Sequence, residues 1–389
     1  MKIVVTGLIA TYPLGGVGWD YLAYVGGFCR LGHDVLYLED TGQWLYDPRA
    51  NSFTDDVSFN VAYLAETLAR AGAPMRTRWA LRAPDGTYHG VPLAEVERFC
   101  NAADLFLNVS GACWLREPYR GAKRLAYLDS DPCYSQAKLM AVEEGTATED
   151  QAYSVGLIRA HNCFFTFAEN IDDPSCTIPH CGLRWMPTRQ PIVLDDWPFT
   201  YRPGARTYTT VMSWKTDVTL PNLSGTTYGG KDIEFLRFLE LPSRVSVPLE
   251  VALSGAAPRA LLAQRGWHIV DAYPKSNTLE AYHTYLAQSR GEWSIAKNAY
   301  VASQSGWFST RSAAYLALGK PVVVQDTGFG RIYPTGDGVF GFTTLDEAAA
   351  GIAAIERNYR HHCEAARACA EREFAAEKVL SRLLADVQL

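Results

Sequence analysis

Short apolar runs alternate with helical segments along this chain, and the alternation occurs twice. The first series opens with Lys2–Gly7 (KIVVTG), a glycine-rich turn, a helix over Asp20–Arg30 and the apolar run Asp34–Glu39. A helical crossover of this length joins parallel strands. The second series begins with Tyr208–Met212. The sequence therefore predicts an α/β protein with two Rossmann-like domains, each a doubly wound parallel sheet.

The length of the chain agrees with this division. A chain of 389 residues exceeds the size of a typical single domain. We place the first domain in residues 1–195 and the second in residues 196–370. The proline- and cysteine-rich stretch Asp172–Asp196 is predicted to connect the domains outside either sheet, and Asp217–Gly225 is predicted to be a mobile loop.

Charge and cysteine content narrow the possible partners. The formal net charge is −6, whereas a nucleic-acid-binding protein would more often be basic, so we expect no nucleic acid partner. The nine cysteines are scattered and odd in number, which does not indicate a disulfide framework. Cys176, His180 and Cys181 lie close together, but no second pair of ligands follows at the spacing of a zinc site. We therefore expect neither a metal nor a cofactor.

The start of the chain shows no targeting pattern. Lys2 leads directly into a predicted strand, without the architecture of a signal peptide. No apolar run approaches the roughly 18 residues that a membrane-spanning helix needs. We expect a cytoplasmic protein without a membrane span.

The stretch Ser303–Gly330 carries the clearest functional signal. It begins as a polar loop, continues as a short helix capped by Ser309, and ends as a buried strand and a glycine turn. The first amides of a helix are unpaired and favour an anion. Thr310 and Arg311 in the first turn can add hydroxyl and guanidinium contacts to a phosphate. Trp307, just before them, is placed to flank a flat ring or a sugar, although an ordinary capped helix is the alternative.

This stretch resembles the donor-binding segment of glycosyltransferases with the GT-B fold, especially the retaining enzymes of family four. Gly306–Gly328 is also similar to an uncharacterised bacterial subgroup with the motif GWFSxRS…GxPVxVQDTG. In family four, two glutamates in the pattern E-x7-E contact the donor sugar. These glutamates fall on Gly306 and Ala314 here. The resemblance implies a nucleotide-sugar site in which the usual contacts to the donor sugar are changed.

A second resemblance lies near the start of the chain. Gly15 and Gly16 precede a helix that ends in Gly32-His33, as in the first unit of family-four enzymes. In that family the paired glycines let backbone amides approach the donor diphosphate; a tight strand–helix turn is the alternative. The resemblance also implies two domains that face a cleft, and a C-terminal helix at residues 371–389 that packs back on the first domain.

Four positions of the second domain complete the predicted donor site. Ser213 and Lys215 follow its first strand, and Lys231 opens the next helix. The resemblance implies that this region neutralises the diphosphate leaving group, and a lysine at a helix N-terminus suits a phosphate on its own terms. Lys215 has an exposed surface lysine as its alternative. Ala272 follows the strand Trp267–Val270, where GT-B enzymes hold the nucleotide base.

Asp129 and Asp131 are the predicted catalytic residues. They follow the strand Lys123–Leu128, and the carboxyl ends of strands face the ligand crevice in open α/β sheets. One or both would transfer a proton or hold acceptor hydroxyls. A turn in which Asp131 is fixed before Pro132 is the alternative.

Together these features predict a cytoplasmic bacterial hexosyltransferase. It would move a sugar from a nucleotide-diphosphate donor, such as a UDP or dTDP sugar, to an acceptor in the interdomain cleft without a metal. Family-four resemblance implies retention of anomeric configuration, whereas a general base would permit inversion. A nucleotide-sugar 2-epimerase and a catalytically silent nucleotide-sugar-binding partner are the alternative functions. The sequence does not identify the base, the sugar, the acceptor or the oligomeric state.

Overall fold

The computed structural model describes residues 1–215 and 228–387. Two large sheets carry the architecture, and helices cover both faces of each. The strands are β1 Lys2–Thr6, β2 Asp34–Glu39, β3 Leu45–Asp47, β4 Ser52–Thr54, β5 Trp79–Arg82, β6 Tyr88–Gly90, β7 Leu105–Val109, β8 Arg124–Asp129, β9 Cys163–Thr166, β10 Trp185–Pro187, β11 Tyr208–Ser213, β12 Leu249–Ser254, β13 His268–Asp271, β14 Gly291–Ser294, β15 Val322–Gln325 and β16 Val339–Phe342.

The α-helices are of very different lengths, and the longest ones cover the sheets. They are α1 Gly15–Arg30, α2 Ser58–Ala69, α3 Leu93–Ala102, α4 Tyr134–Glu143, α5 Glu149–Arg159, α6 Lys231–Leu236, α7 Arg259–Gln264, α8 Tyr273–Ser276, α9 Leu279–Gln288, α10 Asn298–Ala302, α11 Thr310–Ala317, α12 Leu345–Arg357, α13 Tyr359–Glu373 and α14 Ala376–Asp386. In the described part of the chain, no helix combines the length and the apolar character that crossing a membrane would require.

The first sheet has eight strands in the order β10-β9-β8-β7-β1-β2-β5-β6. All neighbours are parallel except β5 and β6, which form an antiparallel edge. The strand order reverses between β1 and β7. This reversal is a topological switch point, where ligands bind beyond the carboxyl ends of the strands.

The second sheet has six strands in the order β13-β12-β11-β14-β15-β16, and every pair is parallel. Its switch point lies between β11 and β14. The interior strands β14 and β15 are buried along their whole length, as expected of parallel strands with helices on both faces. The predicted fold class, two Rossmann-like domains with doubly wound parallel sheets, is confirmed.

The last helices return from the second domain to the first. Helix α13 packs on α11, and α14 packs on α1. Leu380 and Leu383 of α14 belong to the same buried cluster as Val25 of α1. A Cβ added at Gly27 would lie 2.5 Å from Leu380 Cδ1, so a glycine lets the two helices approach. The exact domain limits stay a prediction.

Two local predictions need correction, and a third cannot be compared. Helix α1 begins at Gly15, not at Asp20. The stretch Asp172–Asp196 does contribute to a sheet, because Trp185–Pro187 forms the edge strand β10 beside β9. A proline is tolerated there because an edge strand has one unpaired side. The loop predicted at Asp217–Gly225 lies outside the described residues.

Candidate functional site

The two domains meet through helix α1 on one side and helix α9 on the other. Trp19 Nε1 donates to the carbonyl oxygen of Leu279 at 2.9 Å. A Cβ added at Gly15 would lie 2.1 Å from the carbonyl oxygen of Thr278, the N-cap of α9. Gly15 is therefore placed against the second domain, and only a glycine permits this approach.

A second contact between the domains comes from Asn170, after β9. Its Nδ2 donates to the carbonyl oxygens of Gln304, at 3.1 Å, and Gly328, at 3.0 Å. The backbone N–H of Asn170 donates to Ser305 at 3.0 Å. One side chain and its backbone thus tie the first domain to the loop before α11.

A cavity of about 230 Å³ lies between the domains. The first domain contributes the start of α1, and the second contributes α9 and α11. The cavity brings together three predicted donor-site residues from the two domains, Gly16, Thr310 and Arg311. Its lining residues are Gly16, Val17, Trp19, Asp20, Ile192, Trp197, Tyr282, Thr310, Arg311 and Ala314.

Asp20 is the carboxylate of this cavity. It sits in the second turn of α1, and Thr310 Oγ1 of the second domain donates to its Oδ1 at 3.4 Å. Burial raises the pKa of the Asp20 carboxyl to about 7, and the hydrogen bond from Thr310 only partly offsets this. The group therefore changes charge near neutral pH.

Arg311 is anchored inside the second domain. Its Nε donates to Glu292 Oε1 at 2.6 Å, and its Nη1 donates to the carbonyl oxygen of Val211 at 2.7 Å. Glu292 is fully buried, so the pair is an internal ion pair. Among the described residues, Nη2 has no partner. Arg311 can therefore offer a ligand one nitrogen, so a guanidinium contact to a phosphate would be made through Nη2 alone.

Lys231 is the first residue of α6 and is partly exposed. Burial and, to a lesser extent, the nearby charges of Arg311 and Lys297 together lower its pKa to about 7. No described residue forms an ion pair or a hydrogen bond with its ammonium group. Cations that repel one another in a cleft favour an anionic ligand, because such a ligand relieves their repulsion.

Asp131 faces the second domain across the cleft. Lys297 Nζ lies 2.7 Å from its Oδ1 and 2.9 Å from its Oδ2. The same ammonium group lies 4.6 Å from the centre of the Tyr134 ring. The Asp131 side chain is 53% exposed, so it remains accessible from the cleft while it is paired.

Asp129 is buried behind this loop. Its carboxylate accepts hydrogen bonds from Ser135 Oγ at 2.8 Å, Gln136 Nε2 at 3.0 Å and Thr166 Oγ1 at 3.0 Å. Burial raises its pKa, and these hydrogen bonds lower it. The contacts join the end of β8 to α4 and β9. The geometry favours a structural role for Asp129 over the catalytic role predicted from its position.

Trp307 and Ser309 flank the start of α11. Trp307 Nε1 donates to the carbonyl oxygen of Ser130 at 3.2 Å, and its ring centre lies 4.5 Å from that of Tyr300. The indole therefore bridges the domains and packs on a protein ring. Ser309 is the N-cap of α11 but makes no side-chain capping bond. Its side chain lines a narrow recess next to Arg311.

The remaining predicted positions lie at strand ends of the second domain. Ser213 is exposed, and its Oγ lies 3.0 Å from that of Ser254. Lys215 is exposed, with no hydrogen bond or ion pair to any described residue. Ala272 uses its backbone internally: its N–H donates to Leu253 at 3.3 Å, and its carbonyl accepts from Lys275 at 3.0 Å. None of these three lines the interdomain cavity.

The positions of the two family-four glutamates have different surroundings. Gly306 has φ +77°, and an added Cβ would lie 2.9 Å from the backbone nitrogen of Asn170. A glutamate cannot take this backbone position without displacing the first domain. Ala314 is buried and lines the interdomain cavity. Its side chain therefore brings no carboxylate to the cavity that Asp20 also lines.

Sequence reasoning missed Asp20, Tyr282, Glu292 and Lys297. Asp20 carried a usable signal, since it is the one acidic residue of the first helix, whose other charged residue is Arg30 in the last turn. Tyr282 and Glu292 lie in ordinary helix and strand patterns, so nothing local marks them. Lys297 is distinguished by its contact with Asp131, which only the folded chain reveals.

A group of possible metal ligands lies at the start of α13. Asp337 Oδ1 is 2.8 Å from His361 Nε2 and 3.8 Å from His362 Nδ1. His362 is buried and His361 is half exposed. The cluster ties the turn before β16 to α13, and it does not line the interdomain cavity.

Comparison with known proteins supports the fold. No protein-family model and no curated protein sequence matches the chain. An α-glucosyltransferase solved with UDP and a 13-mer DNA has a TM-score of 0.58 at 8% identity, with 100% of both chains covered. Anabaena HepE, solved with UDP-glucose, has a TM-score of 0.57 at 12% identity, covering 100% of this chain and 99% of that one. AviGT4, a glycosyltransferase involved in avilamycin A biosynthesis, has a TM-score of 0.53 at 14% identity, with coverages of 100% and 97%. The chain has the GT-B architecture.

Proposed function

We propose that this protein is a glycosyltransferase that moves a sugar from a nucleotide-diphosphate sugar to an acceptor in the interdomain cleft. One observation carries the proposal: Gly16 at the start of α1 and Thr310 and Arg311 at the start of α11 line the same cavity. Two helix N-termini then offer unpaired amides to one anion. Several proteins of the same fold have UDP or UDP-glucose in their structures, which supports a uridine nucleotide as the donor.

The cations of the cleft suit the charge that such a reaction develops. Negative charge builds on the diphosphate as its bond to the sugar breaks, and fixed positive groups stabilise it in the transition state. Lys231 gains a full charge when an anion arrives, because its pKa is held near 7. We infer that Lys231 and the Nη2 group of Arg311 contact the diphosphate and that the transfer needs no metal ion.

The acceptor side of the proposal rests on Asp131. This carboxylate lies in the first domain, is half exposed, and is oriented by Lys297 of the second domain. In a retaining enzyme it would position an acceptor hydroxyl, and in an inverting enzyme it would accept the proton. Resemblance to family four favours retention, and the anomeric configuration of the product, measured by NMR, decides between the two.

A catalytically silent nucleotide-sugar-binding partner is the second candidate. The Asp129 carboxylate accepts its hydrogen bonds from side chains of the first domain. The backbone position of Gly306 leaves no room for the acidic residue of family four. Both observations reduce the number of acidic groups available for chemistry. Such a protein would bind the donor without releasing nucleotide diphosphate.

The test is incubation with UDP, dTDP, ADP and GDP sugars in the presence of a bacterial cell extract as the acceptor source. Binding is measured by calorimetry, and released nucleotide diphosphate is measured by chromatography. The Lys231→Met variant is the control, because methionine keeps the length of the side chain and removes the charge. Binding with release supports the transferase, binding without release supports the silent partner, and no binding to any donor refutes both.

A further inference from the structure

The interdomain cavity contains groups that suit two different parts of one ligand. Arg311 and the N-terminus of α11 attract negative charge, whereas Asp20 repels it. Ionised Asp20, whose Oδ1 lies 3.4 Å from Thr310 Oγ1, therefore disfavours a phosphate beside itself and leaves the phosphate the contact with Arg311. The position beside Asp20 suits a neutral group with hydroxyl donors, because an ionised carboxylate accepts hydrogen bonds at several positions and donates none.

The contacts of Asp20 leave most of this accepting capacity unused. Its only described partner is Thr310 Oγ1, at the long distance of 3.4 Å. The carboxylate lies on a helix that the second domain holds in place through Trp19. A partly buried carboxylate with one long hydrogen bond has accepting positions left for a ligand or for water.

The side chains around Asp20 form a site that suits a single ring of a ligand. Trp19 and Trp197 form an apolar wall, with ring centres 5.0 Å apart, and Tyr282 adds a phenol. The volume of about 230 Å³ is below the range of about 300–1,000 Å³ typical of pockets that enclose a whole small ligand. The cavity therefore fits a single sugar-sized ring whose phosphate extends toward Arg311.

We propose that Asp20 is a donor-specificity residue that binds a pair of neighbouring hydroxyls on one ring of the nucleotide sugar. The proposal rests on the proposed function, since it assumes a nucleotide-sugar ligand. Asp20 comes from the first domain, and it supplies a carboxylate to the cavity that Ala314 of the second domain lines without one. The hydroxyl pair belongs either to the ribose or to the transferred sugar.

The experiment compares three ligands on the whole protein by calorimetry at pH 8. UDP carries only the ribose hydroxyls, dUDP lacks the 2′-hydroxyl, and UDP-glucose carries both rings. The variant is Asp20→Asn, which keeps the shape of the side chain and removes its charge, and Asp20→Ala is the second variant. Asp150→Asn is the matched control, because Asp150 is an exposed aspartate of α5. If another base binds the wild type better, its matching trio of ligands is used.

The two possible sources of the hydroxyl pair, the ribose and the transferred sugar, predict different changes in binding affinity. If the ribose is bound, Asp20→Asn weakens UDP and UDP-glucose by about 10- to 100-fold, the range for a hydrogen bond to a charged group, and weakens dUDP less, because dUDP keeps only the 3′-hydroxyl of the pair. If the transferred sugar is bound, only UDP-glucose weakens. Either result supports the proposal.

The proposal is overturned if the Asp20 variants bind all three ligands within about twofold of the wild type. It is also overturned if dUDP weakens as much as UDP and UDP-glucose, since that result indicates general damage to the cavity. These outcomes leave the proposed function standing, because the wild type still binds. A wild type that binds no nucleotide refutes the proposed function itself, and this inference with it.

Discussion

Replacing Asp20 with asparagine should stabilise the protein above neutral pH and leave its stability near pH 4 unchanged. The pKa of the Asp20 carboxyl rises from 3.8 to about 7 because folding buries the group. Between these two values the folded protein holds a proton that the unfolded chain releases. The free energy of unfolding of the wild type therefore falls as the pH rises from about 4 to about 7, and this contribution is constant above that.

The size of the effect follows from the displacement of the pKa. Each unit corresponds to about 1.36 kcal/mol, so the full displacement corresponds to about 4 kcal/mol. Asp20 is partly exposed, and solvent screening reduces this figure, so we expect a gain of about 2 kcal/mol for Asp20→Asn at pH 8. A carboxylate that lowers the free energy of unfolding in this way is typical of a functional site, where a residue needed for binding can destabilise the folded protein.

The assay is urea unfolding of both proteins at pH 4, 5, 6, 7 and 8, followed by tryptophan fluorescence. For an m-value of at least about 3 kcal/mol per M, a gain of 2 kcal/mol moves the midpoint by up to about 0.7 M. The difference between the variant and the wild type should grow from pH 4 to pH 7 and then stay constant. A difference that is equal at pH 5 and pH 8 would refute the assignment of Asp20 as a group that titrates near neutrality.

Three further predictions concern the domain contacts and the cations. Arg311→Ala should lower the free energy of unfolding by about 3–5 kcal/mol, because Glu292 keeps an unpaired buried charge. In urea unfolding, the double variant Arg311→Met/Glu292→Gln should recover most of this loss. Strictly additive losses of the two single variants would contradict the pairing. Lys231, with its pKa lowered to about 7, should lose its charge as the pH rises from 6 to 8. Over this range the affinity of the wild type for UDP-glucose, relative to that of Lys231→Met, should fall by up to about tenfold. A ratio of affinities that does not depend on pH would count against a contact between Lys231 and the diphosphate. Asn170→Ala removes two hydrogen bonds between the domains and should lower the free energy of unfolding by about 1–3 kcal/mol. Amide hydrogen exchange in the loop before α11 should become faster. Unchanged exchange would show that the contact does not hold the domains together.

The parallel sheets were predictable because their strands are continuous apolar runs. β1, β2 and β15 each follow from a local pattern, and the helical crossovers fix their parallel direction. The strand β10 was missed because it is three residues long and contains Pro187, a composition that also fits a connection. Its place in the sheet depends on pairing with β9, which no local pattern records.

The candidate site was predictable where backbone geometry decides it. Gly16 and Thr310 lie at helix starts, and both line the cavity. The side-chain roles of Arg311 and Asp129 were not predictable, because each is engaged by partners that are distant in the sequence. A charged residue after a strand can face either the crevice or the interior, and no local sequence pattern distinguishes these two directions.

The return of α14 to the first domain also has a consequence for synthesis on the ribosome. Leu380 and Leu383 are part of the core that surrounds β1 and α1, so the first domain cannot complete its packing when its own strands emerge. The nascent first domain therefore exposes apolar surface until the second domain and α14 have been translated. Chaperone binding to this nascent intermediate is therefore expected, and a slow final docking step should be visible in refolding.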